Sequence, residues 1–362
     1  MNIIINQNKL LAGIRAIERV VAKNISLPIL NTILLRAEKN TIILQATNLE
    51  IGIKYTLGAK VDITGAIAIP ARIFSEFIGN LHDDKVSLVM EKNILSINSD
   101  QYQTKILCIP PDEFPIIPII HNPIEIPIPA PILHEALMSV VDATSLLETR
   151  PELNGVYIRV TKDNITLAAT DSFRLSERII KITAKIEKEF IIPRDTTLEI
   201  LRLIGEISGD VILAVSENQL ALKTTDFELV SRLINGRYPD YQKVIPERIM
   251  SSMEVNKDEF DRYIRTASIF SSSVSDINLH AVKGGLSIKA KNSDKGDIAI
   301  QATGTLQGDA FDLNLNYRYL LDGLKIIPTE SVIIGFTGVG SPVVLRAPNR
   351  QDLVYVIMPL RS

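Results

Sequence analysis

The chain has 362 residues, of which 46% are hydrophobic and 22% are charged, and its formal net charge is −3. This length accommodates two or three domains, each with a hydrophobic core of its own. The charge excludes adhesion to nucleic acid through an overall basic surplus, and no stretch reaches the roughly 20 apolar residues that a membrane-spanning helix needs.

The first predicted elements are a short strand and an amphipathic helix in NIIINQNKLLAGIRAIERVVAK. The apolar face of this helix is expected to consist of Leu10, Ile14, Ile17 and Val21. Asn6 is suited to cap the start of the helix. Arg15, Arg19 and Lys23 recur every four residues and predict a basic stripe on the opposite face.

A strand that ends in a polar turn occurs three times along the chain. The three stretches are KNTIILQATNLE, KDNITLAATDSFRL and the weaker KGGLSIKAKNSD. Leu44, Leu167 and Ile288 occupy equivalent places, with spacings of 167 − 44 = 123 and 288 − 167 = 121 residues. A repeat this long is a domain and not a solenoid unit. The sequence therefore predicts three copies of one fold.

The predicted helix starts recur with the same period. The first helices of the three copies begin near Asn6, Ala130 and Asn256, and the second helices follow Pro70, Pro193 and Asn316. Pro131 fits the first turn of its helix, and Asn256 with Glu259 matches a capping box. Three independent landmarks with one spacing support the triplication.

Each copy closes with short strands and polar turns, a pattern typical of antiparallel sheet. We expect an α+β fold of three tandem domains, each with two helices packed on antiparallel sheets, at residues 1–122, 123–248 and 249–362. Eight of the 18 prolines lie between Pro110 and Pro131 and stiffen the first connection. Repeated domains with stiff links form an arc, and two arcs that meet head to tail close a six-domain ring. Twelve helices around such a ring leave a hole of roughly 28 Å, wide enough for duplex DNA.

Catalytic and metal-binding patterns are weak in this sequence. The histidines His82, His121, His134 and His280 stand in four separate contexts without a metal-ligand spacing. Cys108, the single cysteine, is expected in the core, and Gly335–Gly340 lacks the ending of a P-loop. We therefore expect a protein that is not an enzyme and has no cofactor or metal. The alternative is a hydrolase or transferase that uses Asp171 and Arg174; the more ordinary role of Asp171 is to anchor the backbone of its turn.

A single cysteine cannot form an internal disulfide, which is typical of a reducing compartment. The N-terminal stretch lacks the basic region and cleavage site of a signal peptide. We expect a cytoplasmic protein.

Apolar side chains cluster in three further segments. Thr170–Leu175 follows a strand end, Tyr238–Pro246 is a turn, and Val356–Arg361 is unusually apolar for a chain terminus. Each segment taken alone is consistent with ordinary core packing. Together they suggest a groove for an extended peptide.

Several motifs resemble those of the bacterial DNA polymerase III beta subunits, the replicative sliding clamps. These motifs are Ser26–Leu30, Leu153–Gly155, Ala169–Asp171 with Arg174–Leu175, Gly236–Tyr241 and Val356–Arg361. The resemblance covers all three predicted domains. It implies a head-to-tail homodimeric ring that encircles double-stranded DNA without sequence preference and keeps the polymerase on it. It also implies docking of a clamp-loader ATPase complex and of replicative and repair polymerases through short peptide motifs, with no membrane partner.

The resemblance assigns a partner-peptide groove to seventeen residues of this chain. They are Leu153, Thr170, Ser172, Phe173, Arg174, Leu175, Pro239, Lys243, Val244, Pro342, Val343, Val356, Ile357, Met358, Pro359, Leu360 and Arg361. In it, aliphatic walls would bury a Leu or Phe of the peptide, while Arg174 and the turn backbone would fix its direction.

The expected contacts with DNA and with a second subunit involve other residues. The resemblance implies DNA contacts at Arg72, Arg150, Arg194 and Arg202, and the helical spacing adds the stripe Arg15, Arg19 and Lys23. The predicted helix segments are close to neutral overall, which suits sliding because few phosphates are neutralised. The resemblance implies a dimer contact between an edge strand with Tyr102, Thr104 and Ile106 and the region of Ile269 and Phe270. An alternative is a monomeric three-domain adaptor that forms no ring.

Overall fold

The computed structural model describes residues 1–21, 26–147, 149–182 and 186–360. Within them the chain forms two compact units, Met1–Pro131 with Arg202–Leu233 and Ile132–Leu201 with Ile234–Ser362. The helices in chain order are α1 (Gln7–Ile17), α2 (Ala71–Gly79), α3 (Ala130–Val140), α4 (Arg194–Ile204), α5 (Lys257–Ser268) and α6 (Tyr317–Ile326).

The first unit contains two antiparallel sheets. Their strands are β1 (Asn2–Asn6), β2 (Thr32–Glu38), β3 (Thr41–Thr47), β4 (Ile51–Gly58), β5 (Lys60–Ile63), β6 (Gly65–Pro70), β7 (Lys85–Glu91), β8 (Ile94–Asn98), β9 (Gln103–Leu107), β10 (Ile124–Pro129), β15 (Asp210–Val215), β16 (Gln219–Lys223) and β17 (Phe227–Arg232). The smaller sheet has the order β5-β1-β7-β8-β9, and the larger one β10-β15-β16-β17-β4-β3-β2-β6. In the larger sheet, β17 of the second copy pairs with β4 of the first.

The second unit repeats this arrangement. Its strands are β11 (Gly155–Val160), β12 (Asn164–Thr170), β13 (Arg174–Lys181), β14 (Lys188–Pro193), β18 (Ser251–Asn256), β19 (Asp276–Val282), β20 (Gly285–Asn292), β21 (Gly296–Ala302), β22 (Gly304–Gln307), β23 (Phe311–Asn316), β24 (Ser331–Phe336), β25 (Val343–Arg346) and β26 (Leu353–Ile357). One sheet runs β14-β11-β12-β13-β26-β25-β24-β18-β22 and the other β21-β20-β19-β23. Here β13 of the second copy pairs with β26 of the third.

The repeat predicted from the sequence is present in the structure. Leu44, Leu167 and Ile288 lie on β3, β12 and β20 and are each 0% exposed. In every copy this strand forms antiparallel pairs with the strand that precedes it and with the strand that follows it. The α+β fold with three copies is therefore confirmed, whereas the boundaries at residues 122 and 248 stay predictions.

Helix starts follow the predicted caps. The side-chain oxygen of Asn6 accepts a hydrogen bond from the Lys9 amide at 3.1 Å. Asn256 accepts one from the Glu259 amide at 3.0 Å, which is the first half of the expected capping box. Such bonds satisfy amides that have no partner within the helix.

The first predicted helix is shorter than expected, and α3 ends well before Arg150. The first was expected to continue through Val21, but α1 ends at Ile17 and a single 3₁₀ turn, Glu18–Val20, follows it. Val20 and Val21 are β-branched and favour extended backbone, and Val21 has ψ 117°. Similarly, α3 ends at Val140, so Arg150 lies in the loop that follows and not on a helix.

Cys108 is half-buried instead of lying fully in the core, and burial raises the pKa of its thiol to about 11.

Among the described residues, none of the helices combines the length and the apolar character that crossing a bilayer requires.

Candidate functional site

The turn between β12 and β13 is fixed by its own side chains. Oδ1 of Asp171 accepts hydrogen bonds from the amides of Phe173 and Arg174, both at 2.9 Å. The hydroxyl of Thr170 donates to the Arg174 carbonyl at 2.7 Å and accepts from the Ser172 amide at 3.1 Å. Ser172 has a φ of 77°, a left-handed value that non-glycine residues rarely adopt. The expected role of Asp171 as a backbone anchor is confirmed.

A cavity of about 210 Å³ opens beside this turn. Its lining residues are Arg150, Leu153, Thr170, Ser172, Arg174, Leu175, Pro239, Asp240, Tyr241, Val244, Val356 and Met358. Nine of these belong to the predicted groove, so three segments far apart in sequence meet here. Asp240 and Tyr241 were missed, although the motif Gly236–Tyr241 already pointed to their segment. Arg150, expected at DNA, lines the cavity as well.

Other predicted groove residues do not line the cavity. Val343 and Ile357 are each 0% exposed and belong to the core of the third copy, because alternation along β25 and β26 turns Val344 and Val356 to the opposite face. Val343 and Ile357 thus pack on the face of these strands that is turned away from the cavity. Phe173 is 58% exposed at the tip of the turn.

The remaining predicted residues lie near the ends of the groove or beyond it. Lys243 is exposed, and Pro342, Pro359 and Leu360 are half-buried. The amide of Met358 donates to the Phe173 carbonyl at 2.8 Å, which fixes the terminal segment against the turn. Arg361 lies outside the described residues.

Tyrosines hold the wall opposite the turn. The hydroxyl of Tyr238 accepts a hydrogen bond from the Thr170 amide at 3.1 Å. The hydroxyl of Tyr241 donates to Oε2 of the buried Glu177 at 2.7 Å. Tyr157 stacks on Tyr238 with ring centroids 4.9 Å apart. Burial raises the pKa of all three phenols, to about 12 for Tyr157, so they stay neutral donors and acceptors at pH 7.

The arginine of the groove is engaged inside the protein. Nε of Arg174 lies 3.0 Å from Oδ2 of Asp171, and Nη1 contacts Oδ2 of Asp322 on α6. Its guanidinium also lies 4.7 Å from the ring centroid of Tyr319. Burial acts to lower the pKa of Arg174, but Tyr355 and the two carboxylates outweigh it and raise the pKa.

The cavity is suited to hold an apolar side chain. Leu153, Leu175, Val244, Val356 and Met358 supply aliphatic walls, and backbone and hydroxyl groups stand at the rim. Both oxygens of Asp171 bind Arg174 or its turn, so this carboxylate is occupied structurally. No cluster of three or more potential metal ligands occurs in the described ranges.

The arginines expected at DNA differ in their surroundings. Arg15 and Arg19 are exposed, and Arg72 is exposed and pairs with Glu76 at 2.8 Å. Lys23 lies outside the described residues.

Arg194 and Arg202 are used within the fold. Arg194 donates to the Val141 carbonyl at 2.6 Å and to the Thr144 hydroxyl at 2.8 Å, beyond the end of α3. Arg202 donates to the carbonyls of Arg15 and Ala16 at the end of α1. These two guanidinium groups satisfy helix carbonyls, which lowers their availability to phosphates.

The residues expected at a dimer contact lie at a sheet edge and just beyond the end of a helix. Tyr102 precedes β9, and Thr104 and Ile106 lie on it; β9 is the last strand of the five-stranded sheet. Ile106 is only 5% exposed, so it offers backbone and not side chain at this edge. Ile269 is 60% exposed at the end of α5, and Phe270 packs partly on the core of the third copy.

Three family models match successive parts of the chain. They describe the N-terminal domain of the DNA polymerase III beta subunit at residues 1–118, its central domain at residues 127–240 and its C-terminal domain at residues 242–361.

Full-length relatives agree with these models. The beta sliding clamp of Synechococcus elongatus is 27% identical and is aligned over 100% of this chain and 99% of its own. That of Bacillus subtilis is 26% identical over 100% of both chains. Among solved structures, a sliding clamp (DNA polymerase III subunit beta) from Bartonella birtlesii bound to griselimycin has a TM-score of 0.94 and 27% identity, with 100% of both chains covered.

Proposed function

The chain belongs to the family of DNA polymerase III beta subunits, the sliding clamps, and from this premise we propose how it closes on DNA and where its partners dock. As a sliding clamp it is a processivity factor of DNA replication and not an enzyme. The observation that carries the proposal concerns strand edges. Two pairs of edge strands join neighbouring copies inside the chain, and within the ranges that the structure describes one edge strand of each kind stays unpaired.

Each copy contributes one group of strands to each of two sheets. One group ends in β4 in the first copy, β13 in the second and β21 in the third, and the other group ends in β9, β17 and β26, respectively. Inside the chain, β17 pairs with β4 and β26 pairs with β13. Among the described residues, β9 and β21 remain at sheet edges. An uncovered edge presents backbone groups that favour pairing with another chain. We infer that β9 of one subunit pairs with β21 of a second, and that two such junctions close a homodimeric ring.

The register of this pairing follows from the internal junctions. Val230 faces Gly52 at the first junction, and Val356 faces Leu175 at the second. Counted along the registers of the neighbouring strands, Lys105 on β9 is equivalent to Val230 and Val356. Asp297 on β21 is equivalent to Gly52 and Leu175. We therefore expect Lys105 to face Asp297. Both side chains are exposed and of opposite charge. Phe270 lies close to the start of β21, since a Cβ built on Gly296, the residue before Asp297, would be 4.0 Å from its ring. This proximity supports the predicted role of the Ile269–Phe270 region.

A charge swap tests this register. Lys105→Asp or Asp297→Lys alone places like charges opposite each other twice per ring, and we expect roughly tenfold weaker dimerisation per interface. The double variant restores opposite charges and dimerisation. Native mass spectrometry over a dilution series at low salt gives the dissociation constants.

Lys60→Asp provides the matched control, because Lys60 lies on β5 at the other edge of the same sheet. A double variant as weak as the single ones would show that the register is wrong. A wild-type chain that stays monomeric at micromolar concentration would contradict the ring and favour the monomeric adaptor.

We propose that the groove holds a short peptide of a polymerase or another replication partner, with a Leu or Phe side chain in the 210 Å³ cavity. Its aliphatic lining and its fixed backbone at Thr170–Arg174 support this occupant. The clamp-loader ATPase and the replicative and repair polymerases are the proposed partners, in the cytoplasm. Griselimycin, found on the Bartonella birtlesii clamp, is expected to compete with such peptides here.

For DNA we propose weak and dispersed phosphate contacts from Arg15, Arg19 and Arg72, with Lys23 as a further candidate. Arg150, Arg194 and Arg202 have partners within the protein and are weaker candidates. Weak contacts suit a ring that must move along the duplex, because each neutralised phosphate adds to the salt-dependent affinity.

A further inference from the structure

The groove is lined by two arginines, and each of them lies beside carboxylates of the protein itself. Arg150 lies 3.2 Å from Glu152, and Asp240 lies 2.8 Å from Lys243. Each of these pairs is neutral. Arg174 differs, because two carboxylates share one guanidinium. Among the described residues, Arg174 with its two carboxylates therefore carries one net negative charge, to which the two neutral pairs add nothing.

The second carboxylate, Asp322, comes from a distant part of the sequence. It lies on α6, 148 residues from Arg174, and it does not line the cavity. Its side chain is 37% exposed, whereas that of Asp171 is 15% exposed and is also tied to the turn backbone. Asp171 alone would neutralise Arg174. Asp322 thus makes the difference between a neutral groove and a negative one.

We propose that Asp322 determines the specificity of the groove: its carboxylate overbalances Arg174, so that peptides with acidic residues beside the apolar anchor are disfavoured. This inference rests on the proposed peptide-binding function and specifies the chemistry of the partner. Without Asp322 the pair of Arg174 and Asp171 would be neutral, and the groove would not disfavour such peptides.

The expected change in peptide affinity follows from Coulomb's law. One unit charge about 10 Å from the peptide in a half-exposed site changes the affinity of each acidic residue by roughly fivefold at low salt. Apolar contacts of the anchor stay the same, so the affinity for a neutral peptide should change less than twofold. The ratio of the two affinities is therefore the informative quantity.

The test uses two fluorescein-labelled peptides, Ser-Leu-Ser-Leu-Phe and Asp-Leu-Asp-Leu-Phe, in fluorescence polarisation titrations with the full-length dimer. The wild type should bind the Ser peptide more tightly than the Asp peptide. In Asp322→Asn the preference should shift toward the Asp peptide by at least fivefold. Asp322→Glu retains the charge and should retain the preference of the wild type.

Asp142→Asn is the matched control. Asp142 also binds α6, through Lys325 at 2.9 Å, and its other partner is Arg194. It is not among the residues that line the cavity. An equal shift in Asp142→Asn and Asp322→Asn, or an unchanged ratio in Asp322→Asn, would overturn the inference.

Salt provides a test that needs no variant. For the wild type, 0.5 M NaCl should strengthen binding of the Asp peptide relative to the Ser peptide, because screening removes the repulsion. Weaker relative binding at high salt would contradict a negative groove. Failure of the wild type to bind either peptide or griselimycin would instead reject the proposed groove function.

Discussion

The two strand junctions inside the chain begin with the same turn. After β3, the Thr47 hydroxyl donates at 2.9 Å to a carbonyl four residues on, and the Thr170 hydroxyl does so at 2.7 Å after β12. Leu49 has a φ of 78° and Ser172 one of 77°. Asn48 and Asp171 each accept two backbone amides. The backbone is thus duplicated down to individual hydrogen bonds.

The residue after the turn distinguishes the two junctions. At the first it is Gly52, and a Cβ added there would lie 2.8 Å from Ile117 of the connection between copies. Ile117 is 4% exposed and packs with Ile120 on Ala214, Ala221 and Val230. At the second junction the equivalent residue is Leu175, which lines the open cavity.

This difference shows how a repeated fold acquires a single site. The first connection fills the face above its junction with its own isoleucines, and small residues on the sheet make room for them. The second connection, held by Tyr238 and Tyr241, leaves space between its wall and the turn. The groove therefore depends on the connection and not on the repeated turn.

The largest expected effect concerns the second junction. Deletion of Met358–Ser362 removes one wall of the cavity and the hydrogen bond from Met358 to Phe173. We expect peptide affinity to fall at least about 100-fold, since much of the apolar anchor contact is lost. Fluorescence polarisation measures the affinity, and native mass spectrometry should show an intact dimer. Retained affinity would reject the groove.

A smaller effect is expected at the first junction. Gly52→Ala places a methyl group against Ile117 and should lower the free energy of unfolding by about 1–3 kcal/mol. Ile117→Ala alone should also destabilise, because it removes a buried side chain, but the double variant should lose less than the sum of the two single losses, because the clashing atoms are gone.

Gly58→Ala on the same strand is the matched control, since an added Cβ there meets nothing within 4 Å. It should change stability by less than about 0.5 kcal/mol. Urea denaturation followed by circular dichroism measures the wild type, the three single variants and the double variant. Additive losses for Gly52→Ala and Ile117→Ala would mean that the two residues are not coupled.

The smallest effect is a pH dependence of stability that comes from Asp352 at the second junction. A hydrogen bond from Arg350 holds the pKa of Asp352 below its usual value, against the opposing effect of burial. A carboxyl group whose pKa is lowered by folding stabilises the protein above its unfolded pKa of about 3.9, and this contribution is lost as the pH falls through the folded value. Asp352→Asn should therefore lose less stability than the wild type between pH 7 and pH 3. Equal losses would contradict the assignment.

The periodicity of the sequence was sufficient to predict the fold. The strand spacing identified three copies, and the caps at Asn6 and Asn256 followed from local chemistry that needs only neighbouring residues. The three apolar segments were visible in the sequence as a strand end, a turn and an apolar terminus, and residues of all three line one cavity.

Contacts between distant residues could not be predicted in this way. The pairing of Arg174 with Asp322 and the bonds from Arg202 to the end of α1 join residues 148 and 187 positions apart. Surface arginines and arginines that cap helix ends look alike in a sequence. Likewise, the packing of Ile117 on Gly52 depends on the path of the connection, which a run of prolines stiffens but does not specify.

The central claim is that the chain holds DNA by encirclement, and retention on DNA of different topology tests it most directly. The clamp is loaded by its cognate loader onto a nicked circular plasmid, which is then either left closed or cut once, and bound protein is followed by gel filtration. We expect the clamp to stay on the circle and to leave the linear DNA within minutes. Equal retention on both would contradict encirclement.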